Sequence, residues 1–118
     1  MTETKKFDLE DRTIDFAKKV REFIKKLSKT VSNIEDCKQL ARSSGSVGAN
    51  YIEANESLSK KDFVLRVKIS RKEAKESRYW LRLVDTYENI ELNQERDKLI
   101  QEVTELMNIF GAIIRKSE

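Results

Sequence analysis

Histidine and proline are both absent from this 118-residue sequence, glycine occurs 3 times and cysteine once. Without histidine there is no Ser-His-Asp arrangement, no Cys-His pair and no histidine-ligated metal. Di-iron carboxylate bundles, which need Glu-x-x-His on their helices, are excluded on the same ground. The lone Cys37 forms neither an internal disulfide nor a structural zinc site, and that usage points to the cytoplasm. Gly45 and Gly48 stand three apart without the rest of any phosphate-loop pattern. No apolar run nears the ~20 residues of a bilayer span. Met1 to Glu10 lacks the apolar centre of a signal peptide. These absences assign no catalytic residue, no cofactor and no metal. The expectation is a cytoplasmic, non-enzymatic chain with no membrane partner.

What is present suits long amphipathic helices: hydrophobic residues make up 38% and charged residues another 38%. The length fits one domain, residues 1–118. The spacing predicts a first helix over about residues 11–29, with Leu9, Phe16, Val20, Phe23 and Leu27 as its apolar stripe. A second helix is predicted over about 34–55, capped by Asn33, with a stripe through Ile34, Cys37, Ala41, Ser44, Gly48 and Ile52. Its centre, Ser43 to Gly48, has poor helix propensity. A loop there is one account; the favoured one is a continuous helix whose small side chains admit a close neighbour. Ser59 with Asp62 resembles a capping box and opens a third helix over about 60–88. There Phe63, Val67, Ser70, Ala74, Ser77, Leu81 and Val84 make a heptad seam. Asn93 is the expected cap of a fourth helix, about 94–116, with Leu99, Val103, Leu106, Met107 and Phe110 in its core stripe. Short connections make sequential helices antiparallel, so the expected fold is all-α, an up-down-up-down four-helix bundle.

Charge is divided unevenly among these segments. Residues 1–30 carry net +3, 31–58 net −2, 59–84 net +6 and 85–118 net −4. Part of this pattern is explained by basic helices attracting acidic neighbours. The sharper reading is that the first and third helices jointly present a cationic surface to a polyanion. On the third helix, Lys61, Lys68, Lys75 and Arg82 form one heptad row, with Arg71 and Arg78 on a second and Lys72 between them. Such a strip can track the phosphates of RNA or DNA, or be no more than a solvated face. Leu65, Ile69, Tyr79 and Leu83 fall outside the main seam and, with Val64, Trp80 and Tyr87, leave apolar surface for self-association. The alternative is that the first helix or the N-terminal arm covers them. The aromatic residues are expected in core or interface positions, with no exposed stacking platform. Asn50 and Glu53, on consecutive turns, are candidates for a structural polar network, with Glu73, Glu76 and Arg78 near on the third helix.

Three stretches carry a resemblance: Ser43-Ser44-Gly45-Ser46-Val47-Gly48-Ala49-Asn50-Tyr51-Ile52-Glu53-Ala54, Ser59-Lys60-Lys61-Asp62-Phe63, and Lys72-Glu73-Ala74-Lys75-Glu76-Ser77-Arg78-Tyr79-Trp80-Leu81-Arg82-Leu83. They resemble the bacterial four-helix-bundle family of 23S rRNA intervening-sequence proteins, most specifically over residues 42–84. Tyr51 stands where that family often has Ile. The resemblance implies a homopentameric ring. It also implies kinship with accessory variability determinants of diversity-generating retroelements, which bind nucleic acid and a reverse transcriptase through a basic surface. It implies no catalysis. The leading expectation is therefore a pentameric accessory protein that binds RNA or other nucleic acid. The rival is a scaffold that docks a protein partner such as a polymerase or reverse transcriptase.

Overall fold

A computed structural model describes residues 8–118, which form four helices: α1 (Leu9–Lys26), α2 (Val31–Asn55), α3 (Lys60–Leu83) and α4 (Ile90–Ser117). Each opens on a side chain that accepts a hydrogen bond from a backbone N–H of its first turn: Asp8 from Asp11, Thr30 from Asn33, Ser59 from Asp62 and Asn89 from Leu92. These oxygens satisfy donors that the first turn leaves without a partner. Lys25 and Lys26 close α1, and Arg115 and Lys116 close α4, at the negative ends of the helix dipoles.

Two expected caps are corrected. Asn33 is buried inside the first turn of α2, not at its cap. Its amide donates to the carbonyls of Ser28 (3.0 Å) and Asp85 (2.9 Å), and its oxygen accepts from the N–H of Asp85. It staples the α1–α2 turn to the α3–α4 turn, and the capping passes to Thr30. Asn89 caps α4 four residues earlier than Asn93, whose oxygen instead accepts from Thr86 and Arg96. The third helix ends at Leu83, short of the expected Glu88. Tyr87 and Glu88 take left-handed backbone angles, φ 52° and 62°, in a turn closed by the N–H of Asn89 on the carbonyl of Thr86.

α2 runs unbroken through Ser43 to Gly48, because its small residues let helices close on both sides. Toward α3, Ser70 donates to the Val47 carbonyl and Ser77 to the Ser43 hydroxyl, each at 2.9 Å and fully buried. Toward α1, Gly48 meets Thr13 so closely that an added Cβ would lie 2.5 Å from its hydroxyl. The expected apolar stripe of α2 is rotated in consequence. Ile34 and Ile52 are exposed, while Leu40, Val47 and Ala54 at heptad spacing are buried. The stripes of the other three helices lie in the core, which Phe16, Val20, Phe23, Leu81, Val103, Leu106 and Phe110 dominate.

Packing joins α1 to α2, α2 to α3, α3 to α4 and α4 to α1, so the antiparallel helices form a four-membered bundle. α1 and α3 lie diagonally opposite, with no close approach of their backbones. That placement decides which charges can meet.

Candidate nucleic-acid interface

α3 presents basic side chains outward because its two glutamates turn toward α2. Glu73, only 9% exposed, and Glu76 both pair with Arg42, whose Nη1 lies 3.3 Å from the Glu73 carboxylate. The Trp80 indole N–H also donates to Glu76, at 3.1 Å. This bond, seconded by Arg42, holds the Glu76 carboxyl below its ordinary range. On the other flank, the α4 residues that the arginines of α3 meet are neutral. Arg78 donates to the Thr104 hydroxyl at 3.2 Å, and Arg71 lies over Gly111, where an added Cβ would be 3.6 Å from its Nε.

The carboxylates of α4 face α1 instead. Arg12 grips Glu102 at 2.7 Å and Glu105 at 2.6 Å, and Lys26 reaches Glu95 at 3.1 Å. Among the described residues, Lys61, Arg71, Lys72, Lys75 and Arg82 therefore have no carboxylate within ion-pair distance. All five are exposed. Lys68, also exposed, differs in pairing with Glu118 at 3.1 Å. Arg78 is half-buried against α4 and is the one member of the predicted strip that turns away from solvent.

The basic residues of α1 do not extend this strip. They lie across the bundle diagonal, and four of them are already paired: Arg12 and Lys26 with α4, Lys19 with Asp15 and Lys25 with Glu22 at 3.0 Å each. The jointly cationic surface of the first and third helices is thus corrected to α3 alone.

The predicted apolar set divides. Leu65 (54% exposed) and Leu83 (49%) lie five helical turns apart on one azimuth of α3, and half-buried Ile69 sits on their α2 side. α1 does not cover them, since it packs on α2 and α4 at the opposite corner of the bundle. Residues 1–7, the proposed covering arm, lie outside the described residues. Tyr79 (57% exposed) is uncovered in the single chain, as its place in the predicted apolar set requires, and basic side chains stand beside it.

Asn50 and Glu53 do form a network, through a residue that sequence reasoning missed. Arg66 of α3 donates to the Asn50 oxygen at 3.3 Å and pairs with Glu53 at 3.1 Å. Arg78, the expected partner, belongs to the α4 side. Arg42 was missed as well, although it is one of only two basic residues in 31–58, opposite a helix with two glutamates three residues apart. Glu53 is exposed and Asn50 half-buried, so the network lines a surface seam between α2 and α3 and is not enclosed. Among the described residues no three Cys, Asp or Glu side chains gather to hold a metal, and no helix is long and apolar enough to cross a membrane.

A family model described as 23S rRNA-intervening sequence protein matches residues 5–112. The fold is similar to a solved protein of unknown function from the S23 ribosomal protein family of Bacteroides thetaiotaomicron. The two are 30% identical over 91% of this chain and 98% of that one, with a TM-score of 0.78. No curated protein matches the chain.

Proposed function

The chain belongs to the family of 23S rRNA-intervening sequence proteins, and from that premise we propose that it is a non-enzymatic accessory protein that binds RNA through the outer face of α3. The observation that carries this reading is a group of exposed cations on α3, among them Lys61, Arg71, Lys72, Lys75 and Arg82, that have no carboxylate partner among the described residues. An unpaired surface cation keeps its full capacity to replace a counterion on a phosphate, whereas one already paired must first break its bridge. Contacts of this kind are indifferent to sequence. Self-association through the ridge of Leu65, Ile69 and Leu83 into a ring, as a homopentamer, multiplies them by holding several α3 faces on one strand.

Fluorescence anisotropy with a structured RNA across a series of salt concentrations tests the reading. Binding that weakens steeply and linearly on logarithmic axes is the expected result. No binding at low salt overturns it. A second reading rests on exposed Leu65 and Leu83: a scaffold whose apolar ridge docks a protein partner such as a polymerase or reverse transcriptase. Binding of that kind falls little with salt. Sedimentation separates the two uses of the ridge. Leu83→Glu splits the assembly with helicity intact if the ridge joins copies, and leaves its size unchanged if the ridge serves another protein.

A further inference from the structure

Tyr79 is more than half exposed, and exposed cations lie one and two turns away from it. Lys75 lies one turn before it, Arg82 one turn after and Lys72 two turns before, none with a carboxylate partner among the described residues. Leu83, one turn after Tyr79, belongs to the apolar ridge, and Tyr79 stands on the side of that ridge away from α2, toward Lys75 and Arg82. Tyr79 is also held from behind. Its ring meets Trp80 edge-on with centroids 4.9 Å apart and planes at 78°. Trp80 is anchored through its indole N–H to Glu76, and Glu76 to Arg42 of α2. The nearest carboxylate on the helix, Glu76, is thereby engaged on the α2 side. An edge contact leaves a face of the tyrosine ring open, and a ring fixed in advance loses little freedom when a base covers it.

Resting on the RNA-binding reading above, we propose that Tyr79 is a base-stacking site that makes α3 selective for single-stranded RNA. Phosphates on either side of the stacked base fall to Lys75 and Arg82, which lie about 6 Å and 4.5 Å along the helix axis from Tyr79. In a duplex the base faces are covered by their neighbours, so a duplex uses the cations alone. A single strand offers both groups at once, and its stacking is tolerant of sequence because every base has a π face.

Trp80 is the sole tryptophan in the chain and touches Tyr79, so its fluorescence reports the site directly. The assembled protein is titrated with an oligouridine strand and with the duplex that strand makes with oligoadenylate. The single strand is expected to bind more tightly and to change Trp80 emission, and the duplex to leave the emission unchanged. Tyr79→Ala should weaken single-strand binding by roughly fivefold or more with duplex binding unaltered, while Tyr79→Phe keeps both. Equal affinity for the two forms overturns the site, and so does full single-strand affinity in Tyr79→Ala. A changed sedimentation coefficient in Tyr79→Ala places the ring in a contact between copies and overturns it as well. Absence of binding to either form is a different failure, that of the RNA-binding reading itself.

Discussion

The two charged sides of this bundle begin from similar sequence and end differently. Both α1 and α3 are basic segments, and both pack against acidic α4. On the α1 side the charges meet: Arg12 takes Glu102 and Glu105, Lys26 takes Glu95, and the cleft of about 760 Å3 between the helices is lined by both signs. On the α3 side, among the described residues, they meet once, Lys68 with Glu118 at the end of α4. Thr104 and Gly111 stand where α4 approaches α3, and α3's glutamates have gone to Arg42. Net charge per helix is therefore a poor guide to what a helix offers a partner. The azimuth of its neighbour's carboxylates decides whether a basic residue serves folding or remains available.

Charge reversal should expose this difference in stability. Glu102→Lys removes a bidentate partner and places a second cation beside Arg12, which is only partly exposed. A loss of about 2–3 kcal/mol is expected in urea denaturation, and a loss under 0.5 kcal/mol would show that the pair is merely decorative. The comparison also depends on α1 sitting where it does, and Gly48 fixes that approach. Gly48→Ala drives a Cβ to 2.5 Å from the Thr13 hydroxyl and 3.0 Å from its Cβ. It should cost about 1–2 kcal/mol, read from the same denaturation midpoints. Lys75→Glu on α3 should move stability by no more than about 0.5 kcal/mol, since Lys75 has no carboxylate partner among the described residues. A drop comparable to that of Glu102→Lys would mean that Lys75 has a structural role.

Much of the fold was legible because the stripes of α1, α3 and α4 are made of large apolar residues at unambiguous spacing. α2 was harder to read. Its core face mixes Leu40 and Val47 with Ser43, Ser44 and Gly48, and a helix packed on two sides buries more than one stripe. The misplaced caps at Asn33 and Asn93 have a common cause. Each is a good capping residue by type, but a better-placed Thr30 or Asn89 precedes it, and the displaced side chain bonds elsewhere, Asn33 between the two turns and Asn93 to Thr86 and Arg96. The basic strip was visible as a heptad row, and six of its seven members are exposed. What remained hidden was everything that depends on a neighbour: the pairing of Arg42 with Glu73 and Glu76, the Arg66 bridge between Asn50 and Glu53, the retreat of Arg78 to Thr104, and the diagonal that separates α1 from α3. Sequence periodicity places a residue on its own helix; it does not say what stands opposite.

The most direct test of the account compares salt dependence across the two sides. RNA affinity is measured over a range of salt for the unaltered protein, for Lys72→Ala with Lys75→Ala on α3, and for Lys19→Ala with Lys26→Ala on α1. The α3 pair should weaken binding about tenfold and flatten the logarithmic slope by roughly 1.5 to 2, and the α1 pair should leave both unchanged. Equal flattening by the two pairs would contradict the claim that the face of α3 alone meets the phosphates.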